Sequence, residues 1–155
     1  MRLDPRVLGY LGRALSHEYG AVQQYLTHAG LAAAWGLEAG AARLREEARE
    51  ELDHAERLTA RLLDLGAMPG ASRLRPVRAG ASLQALLEAD RALEAEALAL
   101  YREAAEHSAR VGDTVSAELF AALYEEERAH ARALAEWIDE LRAAPAAPRL
   151  GGIDA

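Results

Sequence analysis

Glu51-Leu52-Asp53-His54 returns 76 residues later as Glu127-Arg128-Ala129-His130. Each stretch is a Glu-x-x-His, and on a helix a carboxylate and an imidazole three residues apart leave the same face. Two single glutamates, Glu18 and Glu94, keep the same 76-residue offset, and so do the tyrosines seven positions after them, Tyr25 and Tyr101. One ligand set repeated at one offset points to two halves related by a pseudo-twofold axis. Six side chains would converge between the halves.

The surrounding sequence predicts four helices that place these residues inward. Asp4 caps the first, with Pro5 at its first position, and Leu8, Leu11, Leu15, Glu18, Val22, Tyr25 and Ala29 step by three and four along it to about Trp35. Gly36 to Gly40 reads as a short break. The second helix runs to Leu65 with Gly66 as its stop, on the seam Leu44, Glu47, Glu51, His54, Leu58, Leu62, Leu65. Ser82 caps a third helix ending at Val111-Gly112, on the seam Leu83, Leu87, Asp90, Glu94, Ala97, Tyr101. Asp113 caps the fourth, whose seam is Ser116, Phe120, Leu123, Glu127, His130, Leu134, Trp137, Leu141.

Residues 66–82 hold two prolines, three glycines and no helical period, so they read as a linker. Seventeen extended residues reach about 55 Å, against about 38 Å for a 25-residue helix. The linker can travel the bundle's full length and start the third helix parallel to the second. Short connections elsewhere make helices one and two, and three and four, antiparallel. The fold class is therefore all-α: a ferritin-like four-helix bundle of two antiparallel hairpins joined by a long crossover. Residues 1–142 form this domain, and 143–155, with two prolines and two glycines, read as an irregular tail.

Composition narrows the function classes. The chain has 155 residues, a net charge of −7, no lysine and no cysteine. The missing cysteine removes disulfides, thiolate-ligated iron centres and thiol nucleophiles. An acidic surface argues against nucleic acid as a partner and suits attraction of cations. No apolar run reaches membrane-spanning length and no signal-peptide core follows Met1, so a cytoplasmic protein without a membrane partner is expected.

Four carboxylates on the seams of four helices do not belong in an ordinary core, because each ionised carboxylate removed from water costs several kcal/mol. No seam arginine lies near them. Two divalent cations would balance Glu18, Glu51, Glu94 and Glu127, with His54 and His130 as neutral ligands. Oxygen-rich ligation with one imidazole per metal suits iron, or manganese in its place. By position Glu18 and Glu94 are terminal ligands, and Glu51 and Glu127 bridge. A single Glu-x-x-His on an alanine-rich helix is ordinarily a solvated face; two copies centred on apolar seams, each matched to a seam glutamate, argue against that reading.

Residues 1 to about 142 resemble bacterioferritin, the bacterial branch of the ferritin superfamily. The resemblance is carried by Glu18, Gln24-Tyr25-Leu26-Thr27-His28-Ala29, Trp35-Gly36, Glu50-Glu51-Leu52-Asp53-His54-Ala55, Glu94 and Glu126-Glu127-Arg128-Ala129-His130. It implies a dinuclear ferroxidase centre, two Fe ions per subunit, that oxidises Fe(II) with dioxygen or hydrogen peroxide inside a 24-subunit shell. It also implies a haem held between subunits by a methionine one residue after the bridging glutamate of helix two. That residue is Leu52 here, so no haem of that kind is expected. The family's short fifth helix is not expected in the proline-bearing tail, which leaves a homo-oligomer, a dimer or the full cage.

The expected activity is thus ferroxidase, for iron storage or detoxification, carried by Glu18, Glu51, His54, Glu94, Glu127 and His130. Tyr25 is a candidate electron donor or simply a core tyrosine, and Glu47 a candidate for iron entry or exit. Glu46 and Glu50 read as an exposed acidic face, while His17, His28 and His107 read as surface or interface residues. One rival keeps the site and changes the chemistry, to a rubrerythrin-like di-iron or di-manganese peroxidase or oxidase without storage. The other is a metal-stabilised helical binding module with no turnover.

Overall fold

A computed structural model of the protein describes residues 3–144, which form four long α-helices: α1 (Pro5–Ala34), α2 (Glu38–Asp64), α3 (Leu83–Arg110) and α4 (Thr114–Ala143). The caps are those the sequence predicts. Asp4 accepts from the Arg6 and Val7 amides, Ser82 from the Ala85 amide and Asp113 from the Ser116 amide. Gly66 and Gly112 end α2 and α3 at φ of 73° and 79°, a left-handed conformation that costs glycine nothing. The first break is shorter than expected: α2 begins at Glu38, and Gly40 lies inside its first turn. A Cβ on Gly40 would stand 3.4 Å from Leu83 Cδ2 and 3.6 Å from Trp137 Cζ2, so this glycine lets α2 pack closely. The expected irregular tail falls largely on residues 145–155, outside the described residues.

Chain direction follows from side-chain pairing. Tyr10 meets Glu103, Gln24 meets Asp90 and His107 meets Asp4, so α1 and α3 run antiparallel. Glu50 meets His130, His54 meets Glu126 and Arg61 meets Asp113, so α2 and α4 also run antiparallel. With each hairpin antiparallel, α2 and α3 run in the same direction, which is what a long crossover permits. Residues 67–80 contain no helix or strand.

The core divides in two. At one end Val7, Leu11 and Leu15 pack with Leu58, Leu62, Phe120 and Leu123. At the other, Ala29, Leu44, Leu87, Leu134 and Ile138 pack together. Between them lies a polar layer, with Glu18, Glu51, His54, Glu94 and Glu127 each 2% exposed or less. The apolar ends stabilise the bundle, and the middle is left for chemistry.

Two histidines depart from expectation. His28 and His107 are buried, not on the surface. His28 Nδ1 lies 2.9 Å from Asp90, and its Nε2 donates to the Arg78 carbonyl of the crossover at 2.6 Å. Gln24 completes the tie, donating to Asp90 at 2.9 Å and accepting from the Arg78 amide at 3.3 Å. His107 Nε2 donates to Asp4 at 3.1 Å, tying the end of α3 to the cap of α1. Neither was legible as buried, because each partner lies at least 50 residues away.

Candidate metal centre

All six predicted ligands meet in the polar layer. Two overlapping groups bring their ligand atoms within 4.8 Å of one another: Glu18, Glu51, His54 and Glu127, and Glu51, Glu94, Glu127 and His130. Glu51 and Glu127 belong to both, which is the arrangement expected of carboxylates shared between two cations. Each imidazole presents Nδ1 inward. His54 Nδ1 lies 2.8 Å from Glu127 and 3.1 Å from Glu51, while His130 Nδ1 lies 3.1 Å from Glu51 and 3.4 Å from Glu127. The two rings stack with centroids 5.7 Å apart and planes 13° from parallel.

The tyrosines follow the same symmetry, crossed between halves. Tyr25 on α1 donates to Glu94 on α3 at 2.6 Å, and Tyr101 on α3 donates to Glu18 on α1. Both rings are fully buried. Burial, then the neighbouring carboxylates, pushes both phenols well above their ordinary range, so each stays a donor.

The outer nitrogens find partners that the sequence reading passed over. His54 Nε2 lies 2.7 Å from Glu126, and His130 Nε2 contacts Glu50. Each imidazole is thus oriented from outside by the carboxylate preceding the other Glu-x-x-His, which turns Nδ1 towards the buried carboxylates. The signal was present, since Glu50 and Glu126 also stand 76 residues apart. Glu50 is therefore more than part of an exposed acidic face, whereas Glu46 is exposed and, among the described residues, pairs only with Arg49. The symmetry ends there. Arg57 holds Glu126 through contacts of 2.9 and 2.8 Å, whereas the position 76 residues after it is Ala133. Glu47 stands 3.7 Å from His130 Nδ1 and has Leu123 as its counterpart. Glu47, Glu50 and His130 form a further convergent group on that side. Outside the imidazoles a cleft of about 450 Å³ opens between α2 and α4, lined by Glu46, Glu50, Asp53 and Glu126.

The layer's electrostatics ask for cations. Burial first, and neighbouring carboxylates next, raise Glu51 and Glu94 well above the ordinary range. Burial opposes protonation of the imidazoles, yet Glu127 and its carboxylate neighbours outweigh it and lift His54 to about 10 and His130 to about 9. Glu127 is held below the ordinary range: burial raises it, but hydrogen bonds from Glu94, His130, His54 and Glu51 prevail. Even so, among the described residues, one oxygen each of Glu18, Glu47 and Glu127 is buried with no hydrogen-bond partner. Native interiors rarely leave acceptors in that state without a reason. Burial and mutual repulsion favour the protonated forms of these groups unless cations take the protons' place, and the donor set of carboxylates and imidazole nitrogens is one that iron accepts.

Comparison with known proteins identifies the family. A model of the ferritin-like domain matches residues 8–148. The bacterioferritin of Rhodobacter capsulatus is 42% identical over 130 residues, 84% of this chain and 81% of the relative. That of Brucella melitensis is 37% identical over 141 residues, 91% of this chain and 88% of the relative. A solved structure of the Rhodobacter capsulatus protein, described with a metal-free dinuclear site and a haem iron, superposes with a TM-score of 0.86 at 37% identity, covering 100% of this chain and 99% of that one. The residues carrying the resemblance lie on all four helices, and the chain belongs to the ferritin-like family, on its bacterioferritin branch.

Proposed function

We propose that this protein is a ferroxidase that takes up Fe(II) as substrate at a dinuclear carboxylate centre and serves iron storage or detoxification. The observation that carries this reading is the pair of overlapping ligand groups sharing Glu51 and Glu127. Glu18 and His54 complete one half, Glu94 and His130 the other. Two Fe(II) each give up one electron; the pair reduces dioxygen with two protons to hydrogen peroxide, or hydrogen peroxide with two protons to two waters.

The chain's own residues then have distinct tasks. Glu126 and Glu50 orient the imidazoles from outside, while Tyr25 and Tyr101 fix the terminal carboxylates Glu94 and Glu18 by hydrogen bonds. The buried Tyr25 phenol, in contact with Glu94, is placed to supply an electron to an oxidised centre. The acidic cleft over His54 and His130 concentrates cations at the mouth, and Glu47 offers an intermediate hold beside His130. No methionine-ligated haem belongs to this reading: Leu52 is 52% exposed on α2, and Met68 lies in the crossover. Leu52, Tyr19 and Leu26 leave exposed apolar surface on α1 and α2, which supports a homo-oligomer.

Many equivalents of Fe(II), added in air and followed by sizing of the product, separate this function from its nearest rival. Storage predicts that iron beyond two per chain stays soluble in a large particle with the protein. Iron that precipitates beyond two per chain, while peroxide consumption continues, would favour the peroxidase reading.

A further inference from the structure

A cleft larger than the one over the imidazoles lies away from the metal centre. It occupies about 700 Å³ between α1, α3 and the crossover, and none of the six ligands lines it. Gly12 and Gly20 of α1 line its floor, and a Cβ at either would project into open space with no atom within 4 Å. Leu15, Leu93 and Leu100 supply apolar wall, and Pro76 and Val77 of the crossover supply the roof.

The charge around this apolar trough is inverted relative to the molecule. The protein as a whole is acidic, at −7, yet Arg13, Arg73, Arg75 and Arg78 line the cleft against a single acid, Glu96. Glu96 is already engaged by Arg75 at 3.3 Å and Arg78 at 3.4 Å. Arg13 rests over the Tyr10 ring at 4.7 Å, and among the described residues neither Arg13 nor Arg73 makes an ion pair. A trough of ligand-binding size, mostly apolar and rimmed by the unpaired guanidinium groups of Arg13 and Arg73, suits a molecule with an apolar body and an anionic end.

We infer that this cleft binds an amphipathic carboxylate, an extended apolar chain with an anionic head, whose tail lies along the glycine floor and whose head meets Arg13 and Arg73. The site is independent of the dinuclear centre, so either can fail without the other.

Calorimetric titration of the full-length protein with dodecanoate, below its micelle concentration, tests the inference. One saturable equivalent per chain is expected. Gly20→Leu fills the trough with a better helix former and is expected to weaken binding at least about tenfold, as is the double variant Arg13→Ala/Arg73→Ala; metal stoichiometry stays that of the unsubstituted protein in both. Gly12→Leu provides a second filling variant. Dodecyltrimethylammonium, with the same chain and opposite charge, is expected to show no saturable binding. Absence of saturable dodecanoate binding, binding unchanged in the filled and arginine-less variants, or equal binding of the cationic amphiphile would each overturn it.

Discussion

Glu127→Ala is expected to lower the initial rate of Fe(II) oxidation at least about a hundredfold, with fewer than two metal ions retained per chain. The magnitude rests on comparison: losing an outer-shell partner of a metal ligand typically costs 10–100-fold, and a ligand shared by two ions exceeds that. Glu127 reaches His54 Nδ1 at 2.8 Å through one oxygen and His130 Nδ1 at 3.4 Å through the other, so its removal opens both halves at once. Glu125→Ala, two residues away, removes an exposed pair with Arg128 and is expected to change neither rate nor stoichiometry. Stopped-flow oxidation traces, read beside metal content, check this. A Glu127→Ala protein oxidising Fe(II) within about threefold of the unsubstituted rate would remove the bridging role.

The second large effect is on stability. A ligand that binds only the folded chain stabilises it by about 2.7 kcal/mol at a hundredfold excess over its dissociation constant, so two sites add roughly 5 kcal/mol. For a domain of this length that raises Tm by about 10 °C or more. The effect depends on pH with a definite sign. Glu51 and Glu94 are raised above their ordinary 4.5, and His54 and His130 are raised from 6.5 to about 10 and about 9. The metal-free folded chain therefore binds more protons than the unfolded chain. Its stability from the imidazoles is complete below pH 6.5 and is lost as pH rises towards 9 to 10; that from the two carboxyls is lost as pH rises through their raised values. Glu127, held low, opposes this only in acid, below its ordinary 4.5. Cations displace those protons, so the gain in Tm on adding Co(II) is expected to be larger at pH 8.5 than at pH 6.5. Scanning calorimetry at the two pH values decides it: an equal or smaller gain at the higher pH would mean that metal does not replace these protons.

Much of this was legible in the sequence for identifiable reasons. Glu18, Glu51, Glu94 and Glu127 interrupt apolar seams that otherwise step by three and four, and a seam position is buried whichever way neighbouring helices rotate. The crossover's length set the direction of α3. What escaped depended on that rotation or on distant partners. Glu50 and Glu126 sit one position off the seam, and only the relative turn of α2 and α4 brings each to the far imidazole. His28 is buried because Asp90 and the Arg78 carbonyl come to it from α3 and the crossover. The start of α2 was misplaced because Gly40 reads as a breaker, although its role is close packing against Leu83 and Trp137.

The proposed ferroxidase function rests on Glu51 and Glu127 being shared between two cations in one chain. Stepwise addition of Fe(II) in air, with the fast oxidation phase recorded after each aliquot, measures this directly. The sharing geometry predicts a break at two Fe(II) per chain; a break at one per chain, or oxidation rising in proportion to added iron with no break, would contradict it.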